Sequence, residues 1–200
     1  TETDEDVAAI AELVNKIVYC WRQNATNKKR RLSINLATAF FVPKPFTPFQ
    51  WERQTSPEEY LRRVHLLQSC LTARGVDYRY HESDLSRLEA VLARGDRRLS
   101  KVLLRAHELG CKLDGWDEYF RYDLWMQAFS DCGVDPEFYT TRGFAEDEIL
   151  PWQTIDIGVS KAFFLRERAL AYQSVTTPDC RTKCAGCGAR SLSERGVCDE

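Results

Sequence analysis

Four cysteines near the end of the chain carry its clearest chemical spacing. Cys180, Cys184, Cys187 and Cys198 form C-x3-C-x2-C-x10-C, and Gly188 directly follows the tight pair. Thiolates so spaced can complete a tetrahedral shell around zinc or hold an iron–sulfur cluster, since a C-x2-C turn points backbone amides at the sulfurs. A disulfide framework or loose reduced thiols is the alternative reading of the same residues. Cys20, Cys70, Cys111 and Cys132 stand singly in helical or apolar stretches and read as core fillers. Among the histidines, His81 is the best placed for acid–base work, beside Glu82 and Asp84 at a strand end. No partner nucleophile is apparent there, so a surface position at a helix entry is the simpler reading.

The elements that must position these groups follow from periodicity. Thr3 and Asp6 cap a helix whose apolar face is Val7, Ile10, Val14, Ile17, Val18 and Trp21, about five turns long. After the basic run Lys28–Arg31, alternation of Leu32, Ile34, Leu36, Thr38 and Phe40 with small or polar residues predicts a strand over 32–41. Pro43, Pro45 and Pro48 then exclude regular structure, while Phe46, Phe49 and Trp51 give this extended segment a large apolar surface. It must pack, either as a lid over a core edge or as the wall of a ligand pocket. Ser56-Pro57-Glu58-Glu59 starts a second helix with Tyr60, Leu61, Val64, Leu67, Cys70 and Leu71 inward, and Gly75 as its stop. A short strand at 76–80, helices from Ser83 and from Asp96, an aromatic helix through Trp116 to Phe129 and a helix over 159–172 complete the expected elements. Nothing repeats, and no stretch is of low complexity.

Two hundred residues, 44% hydrophobic and 29% charged, suit a soluble globular chain with one good core. No apolar run is long enough for a membrane span and no signal peptide is visible, so a cytoplasmic location and reduced thiols are expected, with no membrane partner. A net charge of −2 gives no global pull toward nucleic acid. Opening on Thr1 with helix-start residues, the chain reads as a piece of a longer protein.

Thr1 to Val7, Phe41-Val42-Pro43-Lys44-Pro45-Phe46-Thr47-Pro48-Phe49-Gln50-Trp51 and Leu88 to Arg98 together resemble one group of proteins. Leu150-Pro151-Trp152, Ile155-Asp156, Gly158-Val159 and Asp179-Cys180-Arg181 add to the likeness. That group is the radical S-adenosylmethionine proteins with an N-terminal cobalamin-binding-like domain. The resemblance implies an α/β fragment, mostly helical: the last strands and helices of a partial TIM-like barrel (1–55), a mainly helical extension (56–175) and a Cys-rich metal-binding tail (176–200). Thr1 to Thr3 would be the second half of the Gly-Leu-Pro-Thr-Glu-Thr sequence that ends the fifth barrel strand in this group. Phe41, Val42 and Pro43 would meet the adenosyl moiety at the C-terminal end of the next strand.

Radical S-adenosylmethionine enzymes hold their catalytic cluster with C-x3-C-x2-C, but that triad follows the first barrel strand, and here only thirteen residues follow Cys187. The tail site is therefore expected to be auxiliary or structural. S-adenosylmethionine and a 4Fe-4S cluster would belong to the parent protein, whose missing N-terminal half would be the fragment's partner and could also carry cobalamin. The fragment alone should not be active, and its substrate is not encoded here. The alternative is a helical binding module whose zinc knuckle, Cys184 to Gly188, grips RNA or a protein partner, helped by Lys28–Arg31 and by Arg94, Arg97, Arg98 and Lys101.

Overall fold

The computed structural model describes residues 2–27 and 29–189, so Thr1 and Cys198 lie outside the described residues. Among them the chain is mostly helical, with six α-helices and two strands. They are α1 (Asp4–Asn24), β1 (Ile34–Thr38), α2 (Pro57–Cys70), β2 (Val76–Tyr80), α3 (Ser83–Arg94), α4 (Leu99–Leu109), α5 (Tyr122–Asp131) and α6 (Lys161–Tyr172). None of the helices is long and apolar enough to cross a membrane. The described residues fall into two compact units, one within 2–41 with 55–87 and the other from 42–54 with 88–189.

In the first unit the cap chemistry acts as expected. Thr3 and Asp6 form a reciprocal capping box on α1, and the Ser56 hydroxyl accepts from the Glu59 amide at the start of α2. The buried stripe of α1 is Val7, Ala11, Val14 and Val18, so Ile17, expected inward, is half-exposed. Small Ala11 lets Leu67 of α2 pack close beside Val7. β1 is shorter than the expected 32–41, because its pairing begins at Ile34↔Val76 and ends at Thr38↔Tyr80. The two strands run parallel, with Ile34, Leu36 and Thr38 on the half-buried face. A parallel pair needs a crossover, which α2 supplies.

Charge ties α1 to α2. Arg62 grips Asp4 through both carboxylate oxygens at 2.6 and 3.0 Å, and with Arg63 it also bonds Glu59. These guanidinium bonds pull the Glu59 carboxyl from its ordinary 4.5 to about 2.

In the second unit, α4 and α5 pack around Val102, Ala106, Trp125, Ala128 and Phe129. The aromatic stretch before α5 departs from expectation. Trp116 and Tyr119 lie in turns and are 64% and 50% exposed, since Leu113 to Phe120 forms successive tight turns and the helix starts only at Tyr122. Arg94 departs further: it is wholly buried, its guanidinium stacked 4.4 Å from the Phe144 ring centroid, and burial lowers it to about 10. It therefore adds nothing to a surface basic patch. The cysteines expected as core fillers divide, with Cys111 buried, Cys70 and Cys132 partly buried and Cys20 exposed.

Because Glu59 titrates lower in the folded chain than in the unfolded one, its contribution is complete above pH 4.5 and is lost as the pH falls toward about 2. Urea midpoints measured across that window should show a downward slope that Glu59→Gln flattens. Added salt should shrink the difference, because the groups are exposed.

Candidate functional site

Three places gather the residues that the sequence singles out, and the proline-aromatic segment builds one of them. It is not extended as expected. Gln50 N–H bonds the Thr47 carbonyl and Glu52 N–H bonds the Phe49 carbonyl, so 45–52 folds into consecutive turns. Pro48 stands at the second position of the first of these, where its fixed φ suits a turn. Phe46 is held at φ +56, a left-handed conformation that costs a bulky residue about 1–3 kcal/mol.

The Gln50 side chain, 5% exposed, holds this segment in place. Its Oε1 accepts from the Phe46 amide at 3.3 Å and from the Trp152 indole Nε1 at 2.6 Å. Two N–H donors on one atom assign it as the oxygen, which fixes the amide's orientation. Gln54 N–H bonds the Thr140 carbonyl, Phe144 N–H bonds the Trp51 carbonyl, and Glu52 pairs with Arg168 at 2.6 Å. Trp51 is 2% exposed and Phe46 and Phe49 are half-buried, so the segment packs as its composition requires. It walls a cavity of about 270 Å³, together with Trp152, Ile155, Asp156, Lys161 and Phe164.

The first unit has its own cavity, about 140 Å³, at the C-terminal end of β1. In open parallel sheets this is the end where ligands bind. Thr38, Phe41, Tyr60, Arg63 and Tyr78 line it. The Thr38 and Tyr78 hydroxyls share a 2.8 Å hydrogen bond, and the Tyr60 hydroxyl donates to the His81 carbonyl at 3.0 Å. Burial pushes the Tyr60 phenol up to about 12, so it stays neutral at ordinary pH. The wall also carries the Glu2 carboxylate, paired with Arg63 at 2.6 Å. Of the three residues expected at an adenosyl site, Phe41 lines this cavity, while Val42 and Pro43 are half-buried and buried within the other unit. His81 is exposed and its ring makes no hydrogen bond or ion pair, in keeping with a surface residue.

The cysteine knuckle is the third place. The Gly186 amide points at the Cys184 sulfur and the Ala189 amide at the Cys187 sulfur, both at 3.4 Å. Gly186 and Gly188 take φ of +65 and +98, which let the chain turn twice within five residues. The knuckle is docked: the Ser160 amide bonds the Cys187 carbonyl at 2.9 Å, and Arg166 bonds the Ala185 carbonyl. The segment it docks on carries Val159 and Lys161, which also wall the aromatic cavity. Cys180 sits in a turn that the Asp179 carbonyl closes onto Thr182 and Lys183. Among the described residues no group of three or more His, Cys, Asp or Glu side chains is arranged to hold a metal ion. The two amide-to-sulfur bonds suit thiolate ligands at Cys184 and Cys187, and Cys198 lies outside the described residues.

No protein-family model matches the sequence, and no solved structure does. Among curated proteins the chain is 25% identical over 134 residues to Uncharacterized protein MJ0966 of Methanocaldococcus jannaschii. The match covers 67% of this chain and 28% of that protein, so the chain spans well under half of its relative.

A Cβ added at Gly188 would stand 2.9 Å from the Gly158 carbonyl oxygen, at a φ few side chains adopt. Gly188→Ala should therefore lift the knuckle off its seat, and Cys187, half-buried in the native chain, should alkylate several-fold faster with iodoacetamide. Cys20, exposed and part of the first unit, provides the internal reference rate by mass spectrometry.

Proposed function

We propose that this chain is the C-terminal part of a radical S-adenosylmethionine iron–sulfur protein of the group with an N-terminal cobalamin-binding-like domain, and that it is inactive alone. One observation carries the reading: β1 and β2 form a parallel pair joined through α2, with a cavity at the C-terminal end of β1. An isolated two-stranded sheet is marginal, and parallel sheets normally continue on both sides. β2 pairs with β1, so the barrel portion of this proposal runs past residue 55, through Tyr80.

The cavity supports the inactivity as well. At about 140 Å³ it is smaller than the roughly 300 Å³ at which drug-sized ligand pockets begin. Phe41, Thr38 and Tyr78 would thus supply one wall of a cofactor site, with apolar and neutral hydroxyl groups that position the cofactor and exclude water. When bound in the parent, the reduced cluster supplies the electron that cleaves the sulfonium of S-adenosylmethionine. The 25% identity to a much longer protein agrees with a partial chain.

At the tail, Cys180, Cys184, Cys187 and Cys198 would hold an auxiliary iron–sulfur cluster or zinc. The amide-to-sulfur bonds at two of the four support a metal-holding knuckle under either chemistry. They also sustain the second reading, a zinc-knuckle module for a partner. Nucleic acid is the weaker partner, since Arg94 is buried and Arg98 is paired with Asp96 at 2.7 Å.

The test compares this chain with its full-length parent, each reconstituted anaerobically with iron and sulfide and given dithionite and S-adenosylmethionine. The parent should release 5′-deoxyadenosine and the chain alone none. Release by the chain alone, abolished by Cys184→Ala, would make the tail the catalytic cluster and overturn the assignment. A parent frame without an upstream C-x3-C-x2-C triad would overturn the family reading itself.

A further inference from the structure

We propose that the aromatic cavity of the second unit binds a free α-amino acid with a large apolar side chain. This goes beyond the barrel reading and rests on the second unit alone. Three independent features of one cavity converge on that ligand chemistry.

The first is an oriented donor. Gln50 is 95% buried, and its Oε1 is occupied by the Phe46 amide and the Trp152 indole. Its Nε2 donates to nothing among the described residues, and the side chain lines the cavity. The Nε2 is not among the atoms shut off from solvent, so with the oxygen fixed its N–H is open to an acceptor that arrives from outside.

The second is a pair of unused charges of opposite sign on the same wall. Arg142, Arg168, Arg98 and Arg105 in this unit each grip a carboxylate. Among the described residues Lys161 forms no ion pair, and Asp156 makes one side-chain hydrogen bond, its Oδ1 accepting from the Gly158 amide at 2.8 Å. Both line the cavity. An ammonium with an amide N–H suits a carboxylate, and a carboxylate with a free oxygen suits an ammonium. Only a zwitterion uses both. A peptide end carries one of the two charges, and a nucleobase carries neither.

The third is the lining and the size. Trp51, Trp152, Phe46 and Phe164 give flat apolar walls. The volume of about 270 Å³ lies just under the range for drug-sized ligands, so it selects a small one. Phe46, held at a costly φ, belongs to that wall, as strained residues often do at binding sites.

The experiment titrates the chain by calorimetry with L-phenylalanine, with 3-phenylpropanoate, which lacks the ammonium, and with 2-phenylethylamine, which lacks the carboxylate. L-Phenylalanine should saturate one site, and each analogue should bind at least about tenfold more weakly. Lys161→Gln should weaken L-phenylalanine and 3-phenylpropanoate by about tenfold and leave 2-phenylethylamine unchanged, and Asp156→Asn should do the converse. Both positions are exposed, so the variants should melt like the native chain. Three outcomes would each overturn the proposal: no saturable binding of L-phenylalanine to cooperatively folded protein, analogues that bind as well as the amino acid, or variants that weaken all three ligands alike. None of these outcomes bears on the release of 5′-deoxyadenosine by the parent.

Discussion

The hydrogen bonds on one buried oxygen, Gln50 Oε1, are the constraint on which the second unit depends. They join the proline-aromatic segment to Trp152, 102 residues away in sequence, and turn an otherwise irregular stretch into a cavity wall. Removing both N–H donors would leave the buried Oε1 unpaired at a cost of about 1–3 kcal/mol, so the packed segment depends on Phe46, Gln50 and Trp152 being in place together. Backbone bonds from Gln54 to Thr140 and from Phe144 to Trp51 run alongside it, and Gly143 permits their closeness, its Cβ position lying only 3.3 Å from the Trp51 carbonyl. Glu52 closes the set through Arg168 and the Tyr172 hydroxyl.

Beneath these strands of contact lies a run of stacked cations and rings. Arg94 and Arg142 both lie on Phe144, Arg142 also lies on Phe138, and Arg98 lies on Phe138 and Tyr139. A desolvated contact of this kind contributes about 2 kcal/mol, which offsets part of the cost of burying Arg94. Glu148 pairs with Arg142, so the neighbourhood is not left with unopposed positive charge. The same unit seats the cysteine knuckle on Gly158–Ser160, next to the residues that line the cavity. The cysteine knuckle and the aromatic cavity thus share one short segment of chain.

Local signals in the sequence were good guides to local structure. Thr3 and Ser56 cap helices because a short hydroxyl reaches a free amide without help from the rest of the fold. Phe46, Phe49 and Trp51 announced that their segment must pack, and it does. What packing partner they find could not be read, because Trp152 and Phe164 reach them only through tertiary structure. The parallel pairing of β1 with β2 was likewise hidden: each strand is legible by alternation, but register is a long-range property. Arg94 looked like surface charge because nothing in its neighbours reveals Phe144 stacked against it. Trp116 and Tyr119 misled in the opposite sense, since helical spacing of rings says nothing once turns interrupt the helix.

Hydrogen exchange at the tryptophan indoles tests the central claim most directly. Trp152 Nε1–H is buried and bonded to Gln50, whereas Trp116 is 64% exposed. In a proton–nitrogen spectrum of the folded chain, the Trp152 indole proton should persist in deuterium oxide long after that of Trp116 has exchanged, and Gln50→Leu should bring its exchange close to that of Trp116. Equal exchange of the two indoles in the native chain would mean that the Gln50 clamp does not form, and the cavity it builds would be lost with it.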